Sequence, residues 1–502
     1  VLSPSREWSF DIVHVRLSGN APMTSTLDRL ESRVARDLAT IEAPAAPWLS
    51  PRFGPDGAKA YDVVIAGAGL SGLSIGFGLM RQGLSNVLIL DQRPAGREGP
   101  WITSARMMTL RSPKQLTGPD LGVASLAFRS WYEATAGEEA WERLDKISPR
   151  DWMDYLAWYR RVLALPVRNG ARLVDIRGAG ALLRLSIDGA GAAETIHARR
   201  LVLATGVDGS GQPHVPAMVN EAVPRERYSH SADVIDPAFL ANLDVGVLGA
   251  GASAFDFATT ALSSGAKSVT LFARRRELPR TEALAWANFP GFLGSFSQLD
   301  DLRRWRFMRR FFELQPPPTQ EMFDRATAYP NFRLVLGAPL SRVAMNASRI
   351  AVDAAGESFA FDHLLLGTGY ETDLTRRPEF AACADAIALW GDGFAPPPGE
   401  EDEALARYPY LGPAFELRER VPGAAPWLNR VHVFNNGAVP SLGPVCNGVT
   451  GLKYGAPKIV AGIVQSLFVE DADAHLDALM RYDHPHFTAA KLETVDGTRA
   501  PL

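Results

Sequence analysis

Residues 67–72 read GAGLSG, and the spacing of these glycines suits the binding of a pyrophosphate. Gly67 permits a tight turn. Gly69 removes the side chain where phosphate must approach the backbone, and Gly72 lets a following helix pack on the preceding strand. The N-terminus of such a helix offers free N–H groups and a partial positive charge to an anion. Asp91 follows nineteen residues after Gly72. A carboxylate there hydrogen-bonds ribose hydroxyls and repels a 2′-phosphate. Three spaced glycines mean little alone; here they have a strand before, a helix after and an acid at the right distance.

The pattern returns as Gly249, Gly251 and Ala254 in GAGASA. No acid closes this second unit. Arg274, Arg275 and Arg276 stand at the end of its second strand, with Arg280 nearby. Guanidinium forks bind phosphate bidentately. The first loop therefore suits an unphosphorylated ribose, as in FAD, and the second a 2′-phosphorylated one, as in NADPH.

The elements that must carry these residues are readable around them. YDVVIA (61–66) and VLIL (87–90) are short apolar runs fit for buried parallel strands, with a helix between them to Gln82. DVGVL, FDFATTALSS and SVTLF repeat that order at 244–272. Ser148, Pro149 and Asp151 read as N-cap, N1 and N3 of a helix through WMDYLAWYRRVL. Short strands ARLVDI, ALLRLSI and LVLATG follow. Residues 281–330 read as a helical insertion rich in aromatics and arginine, in which Trp305, Met308 and Phe312 share one face. That face suits core packing, a lid or an anionic membrane surface. The expected fold class is α/β, with two Rossmann-like dinucleotide-binding domains, the NADPH domain inserted into the FAD domain. The expected boundaries are an N-terminal extension and helix at 1–54, an FAD domain at 55–210, an NADPH domain at 211–364, the second FAD part with the substrate region at 365–480, and a tail at 481–502.

Composition narrows the classes. The 502 residues are 46% hydrophobic and 22% charged with net charge −4, a globular balance unsuited to general nucleic-acid binding. Two cysteines, Cys383 and Cys446, lie 63 residues apart and make no CxxC pair or thiolate zinc site. His484 and His486 read as a solvated pair rather than a metal site, and no metal is expected. The uncharged stretch Val63–Met80 is long enough to span a membrane, but its glycine pattern assigns it to the nucleotide unit. Residues 1–22 lack the apolar core of a signal peptide, Met23 is a candidate native start, and the expected compartment is the cytoplasm.

Taken together these pieces resemble the two-dinucleotide-binding flavoproteins, and within them the class B flavin monooxygenases: flavin-containing, Baeyer–Villiger and N-hydroxylating enzymes. GAGLSG with Asp91 is similar to their FAD fingerprint. GREGPW, ending at Trp101, resembles the Gly-Gly-x-Trp run that follows the acid. LVLATG and HLLLGTGY, with Thr205, Gly206, Thr368 and Gly369, resemble the two strands where the chain crosses between domains. The linker departs from the family pattern: YSHS supplies His230 and Ser231, but Pro224 and Glu226 stand where Phe and Gly belong. ARMMTLRSP (105–113) is similar to a stretch of the amine N-hydroxylases.

The resemblance implies an NADPH-consuming, FAD-dependent monooxygenase that inserts one atom of O2 into a small molecule through a C4a-(hydro)peroxyflavin, with no obligatory acid–base triad. Trp101 to Lys114 should run along the flavin, where Arg106, Arg111 or Lys114 meets negative charge. Asn435, Asn436 and Asn447, before the helix near Gly451, are candidate donors to the flavin or substrate. The catalytic candidates are Arg106, Asn436 and Asn447. Alternatives are an amine or amino-acid N-hydroxylase of the same family, and a non-oxygenating flavoprotein that senses NADPH. A disulfide reductase would need a reactive cysteine pair, and a flavin amine oxidase only one nucleotide site. The expected partners are the substrate and O2, with a homodimer as the default assembly.

Overall fold

A computed structural model describes residues 25–189, 193–446 and 448–487. Met23, Asn447 and the last part of the C-terminal tail lie outside the described residues. The chain folds as α/β around two mostly parallel sheets.

The strands, in chain order, are β1 (Tyr61–Ala66), β2 (Val87–Asp91), β3 (Val167–Asn169), β4 (Ala171–Ala179), β5 (Leu182–Gly189), β6 (Ala193–Leu203), β7 (Gly211–Pro213), β8 (Tyr228–His230), β9 (Asp244–Leu248), β10 (Ser268–Phe272), β11 (Phe332–Val335), β12 (Leu340–Asn346), β13 (Arg349–Ala354), β14 (Glu357–Phe361), β15 (His363–Leu366), β16 (Tyr370–Thr372) and β17 (Val431–Val433). The first sheet has the order β3-β2-β1-β6-β5-β4, with β17 also pairing β6. The second has the order β11-β10-β9-β15-β8, parallel throughout. Both central pairs are buried on both faces, which is why their sequences are nearly continuous apolar runs rather than alternating.

Strand β6 joins two architectures. Its first half pairs antiparallel with β5, and its second half runs parallel to β1 and β17. It starts at Ala193, well before the LVLATG segment that the sequence marks, because β5 supplies partners for residues with little strand character of their own. The chain leaves the first sheet through β7 and returns through β16, and these two crossings pair antiparallel. A meander, β12-β13-β14, lies beside the second sheet.

The insertion between β10 and β11 is helical: Ala283–Ala287, Pro290–Ser295, Asp301–Leu314 and Gln320–Thr327. Trp305 and Met308 of its long helix are buried. The helix docks on the first lobe, where Arg304 donates to the Ser441 carbonyl (3.0 Å), Trp305 Nε1 to the Glu400 carbonyl (2.8 Å) and Tyr410 Oη to Asp301 (2.9 Å). Its apolar face is thus core, not a membrane surface. Among the described residues, no helix is long and apolar enough to cross a membrane.

Candidate active site

Each of the three glycines in GAGLSG answers a different demand. Gly67 adopts φ +107, and a Cβ there would stand 2.3 Å from the Ala204 carbonyl oxygen. A Cβ on Gly72 would meet the Gly67 oxygen at 1.8 Å. These two are fixed by backbone packing. At Gly69 the nearest atom to an added Cβ is Gly99 Cα at 3.8 Å, so packing does not require glycine there. What glycine leaves at that point is bare backbone at the start of the helix Leu70–Arg81. That helix has no side-chain cap and no acid in its first turn. The helices Thr26–Thr40 and Pro149–Val162, in contrast, are capped by Ser25 and Ser148. Uncapped N–H groups behind a glycine form a cradle for an anion.

Asp91 closes β2 and is buried. Its Oδ2 accepts from Ala68 N (2.9 Å) and its Oδ1 from Arg93 N (2.8 Å). Burial pushes its pKa up, and these two bonds hold it back. The carboxylate is therefore locked against the glycine loop with lone pairs left for hydroxyl donors. Beside the loop lies a cavity of about 480 Å³, lined in part by Ala68, Gly96, Glu98, Met153, Leu156 and Arg160. Glu98 is held by Arg160 and Asn169, each at 2.8 Å. The sequence marked neither Glu98 nor this wall of the Pro149–Val162 helix. The signal was an acid seven residues past Asp91, and it is common. Trp101 packs edge-on to Trp152 at 6.0 Å, and its buried Nε1 has no partner among the described residues. These features fit an adenine dinucleotide: open space over glycine, a fixed carboxylate, a cavity and an orphaned donor.

The second loop repeats the geometry. Gly249 has φ +119, and its Cβ would meet the Gly367 carbonyl oxygen at 2.3 Å. A Cβ on Gly251 would meet nothing within 4 Å, and Gly251 starts the uncapped helix Ala252–Ser263. Ala254 is fully buried against Gly367, whose missing side chain allows that approach. Arg274, Arg275 and Arg276 are exposed. Arg275 donates to the Glu313 carbonyl (3.1 Å), and among the described residues none of the three pairs with a carboxylate.

Between the lobes the crossing residues are tied together. Asn435 is buried, donates to Thr205 Oγ1 (3.0 Å), and accepts from Ser210 Oγ (2.7 Å) and Gly437 N (2.9 Å). Thr368 Oγ1 donates to the His214 carbonyl. The Gly369 carbonyl accepts from His214 N and His230 Nε2, both at 2.9 Å. Gly206 turns at φ +85, and its carbonyl accepts from Asn436 N at 3.4 Å. Asn436 itself is half-buried.

The loop after Trp101 carries the three cations that the sequence marks, and Arg106 among them is half-buried. Arg106 donates to the carbonyls of Ser104 (2.7 Å), Ser231 (3.3 Å) and Asp233 (2.7 Å), and lies 4.2 Å over the Phe257 ring. Burial pulls its pKa below the usual arginine value. These bonds tie the loop to Ser231 and Asp233, more than 120 residues along the chain. Lys114 likewise donates to the Trp141 (2.6 Å) and Glu142 (3.3 Å) carbonyls, whereas Arg111 is exposed. Both cysteines are free and buried, and burial pushes the Cys383 thiol up to about 12 and the Cys446 thiol well above its ordinary value. No group of three or more His, Cys, Asp or Glu side chains among the described residues is arranged to hold a metal.

Residues 61–289 match the pyridine nucleotide-disulphide oxidoreductase family. The FAD-dependent urate hydroxylase of Xanthomonas campestris pv. campestris is 42% identical over 464 residues, covering 92% of this chain and 97% of that protein. The ornithine N-hydroxylase of Kutzneria sp. 744 superposes with a TM-score of 0.62 at 17% identity, over 81% of this chain and 99% of its own. The bacillithiol disulfide reductase of Staphylococcus aureus gives 0.55 at 14% identity, over 82% and 99%. The two structural likenesses show the shared fold. The relationship to the hydroxylase shows the family, and the chain belongs to the class B flavin monooxygenases.

Proposed function

We propose that this protein is an FAD-dependent, NADPH-consuming monooxygenase that hydroxylates urate or a closely related oxopurine. The observation that carries the two-nucleotide reading is the pair of unlike loops. Gly69 and Gly251 both open onto uncapped helices, but one unit closes on a buried carboxylate and the other on guanidinium groups without acidic partners. The relative that is 42% identical supports the substrate class.

On this reading the first loop's amides bind the FAD pyrophosphate and Asp91 the ribose. The second loop binds NADPH, with Arg274 and Arg275 on its 2′-phosphate. FAD, when bound, supplies the redox and oxygen-activating chemistry. The chain itself orients and encloses. Arg106 and the insertion helix Asp301–Leu314 each tie segments far apart in the chain, and Asn435 fixes Thr205 and the turn on which Asn436 stands. No acid–base triad is required, since the protein's part is placement and exclusion of water.

Reduced buried thiols with raised pKa values disfavour the disulfide-reductase reading, because a thiolate is the reactive form. The test is coenzyme consumption by the purified yellow protein with urate, xanthine, ornithine and a thioether, each analysed by product mass. Urate-dependent oxidation of NADPH with a product sixteen mass units heavier, or its hydrolysis product, is expected. Turnover of ornithine alone would favour the N-hydroxylase alternative.

A further inference from the structure

One buried carboxylate in the first lobe is held by a single oxygen. Glu98 Oε1 accepts from Arg160 Nη1 and from Asn169 Nδ2, each at 2.8 Å. Its Oε2 accepts from none of the described residues, although the side chain is buried. A carboxylate is an acceptor only, and a buried acceptor without a donor is costly, so this oxygen calls for a donor from outside the chain.

Three elements set the angle of that carboxylate. Arg160 belongs to the helix Pro149–Val162, Asn169 ends β3, and Glu98 stands in the loop between Asp91 and Trp101. Arg160 Nη1 also donates to Asn169 Oδ1 (2.8 Å), Arg160 Nη2 to the Val167 carbonyl (3.2 Å) and Asn169 Nδ2 to the Arg93 carbonyl (3.0 Å). Asn169 is the strand partner of Asp91, so the second carboxylate is built onto the first. Glu98 and Arg160 both line the cavity of about 480 Å³, which begins at Ala68, the residue whose amide holds Asp91. Much of its remaining wall is apolar, from Leu73, Met153, Leu156 and Leu165.

We propose that Glu98 reads the base of FAD, its Oε2 accepting from the 6-amino group of adenine, and that Arg160 and Asn169 are the positioning residues that hold it in place. This rests on the FAD reading of the first lobe. A purine ring suits apolar walls, and an adenine joined to ribose carries one donor group on its rim, the 6-amino group. Asp91 is engaged with the ribose. A site built to bond that amine rejects a 6-oxopurine, whose oxygen would face the carboxylate instead. The two bonds on Oε1 also decide what a carboxamide would do. In Glu98→Gln the amide oxygen stays on Arg160 and Asn169, because both are donors, and the amino group takes the place of Oε2. The variant offers a donor where the native chain offers an acceptor.

The experiment equilibrates the holoenzyme with equal excesses of FAD and flavin hypoxanthine dinucleotide, its deaminated analogue, and separates the retained flavins by chromatography. The unaltered protein should prefer FAD by about tenfold to a hundredfold, the range one hydrogen bond to a charged group supplies. Glu98→Gln should abolish or invert that preference. Arg160→Lys, which keeps the charge but loses the fork, should narrow it. A Glu98 that merely braces the loop would lower retention of both flavins and leave their ratio intact. Equal retention by the unaltered protein, or an unchanged ratio in Glu98→Gln, would overturn the proposal and leave the proposed function standing. Should Glu98→Gln hold neither flavin, Arg160→Lys decides in its place, a narrowed ratio supporting the proposal and an unchanged one overturning it. An unaltered protein that binds no FAD would overturn the cofactor reading and this proposal with it.

Discussion

A methyl group is the sharpest probe of what each glycine does. Gly251→Ala adds a Cβ that meets nothing in the protein, at an ordinary negative φ of −82. It should fold normally and lose affinity for the nicotinamide nucleotide, seen as a raised KM for NADPH beside an unchanged melting temperature. Gly72→Ala places the same group 1.8 Å from a backbone oxygen and should instead cost stability and flavin content together. If both variants behaved alike, the distinction between packing glycine and cradle glycine would fail. Asp256, on the same helix as Gly251, gives a second residue-level test. Burial pushes its pKa from 3.8 up to about 6, against the opposing pull of Arg111, Arg325 and Arg106. A folded pKa above the unfolded one means that the folded state holds the extra proton across that window. Stability then falls as pH rises from about 4 to 6, by an amount on the order of 3 kcal/mol for a shift of this size. Urea denaturation at a series of pH values should show this decline flattened in Asp256→Asn, with the variant the more stable above pH 6. Parallel curves would contradict the assignment.

Among the elements, those built from local pattern were readable in advance and those built from distant partners were not. The strand–loop–helix units around Gly67 and Gly249 announce themselves because apolar runs, glycine spacing and a terminal acid or arginine lie within thirty residues. The Ser148 cap is equally local and forms as its sequence indicates, with Ser148 Oγ accepting from Asp151 N at 3.0 Å. The meander β12-β13-β14 carried no such signal, since its strands mix exposed and buried residues and gain order from one another. Arg106 shows the same limit at a single side chain. Its partners Ser231 and Asp233 lie more than 120 residues away, so these bonds are invisible along the chain. Of the three neighbouring asparagine candidates, the structure separates Asn435, a buried strut, from Asn436, which is half-buried, and does not describe Asn447.

Two elements invite direct tests. The long helix Val449–Glu470 ends at Asp471, where buried Arg199 of β6 makes bonds of 2.8 and 2.9 Å. Burial pushes the Asp471 carboxyl up, but the bonds from Arg199 and Arg52 outweigh it and its pKa falls. Asp471→Ala leaves a fully buried guanidinium facing Glu470 alone and should destabilise the fold by about 3–5 kcal/mol. A loss under 1 kcal/mol in urea titration would show the cluster to be incidental. At the end of β10, replacing Arg274 and Arg275 together with Ala should narrow the preference for NADPH over NADH, each lost phosphate contact being worth about 1.5–3 kcal/mol. Unchanged selectivity would remove the arginines from the coenzyme site.

On the scale of the whole molecule, the same scaffold serves the disulfide reductases and the hydroxylating enzymes, so the sheets alone do not decide the reaction. In this chain both cysteines are free and buried, and the insertion helix is bonded to the Ser441 and Glu400 carbonyls. The insertion helix and Arg106 each make bonds between segments far apart in the chain. On the proposed function, reducing power gathered in one lobe is used in the other to place one oxygen atom on an oxopurine. Turnover of urate under ¹⁸O₂, with NADPH consumption and product mass followed together, decides this. One labelled oxygen per product and one NADPH consumed for each are predicted. NADPH oxidation that yields only hydrogen peroxide, with urate recovered unlabelled, would contradict it.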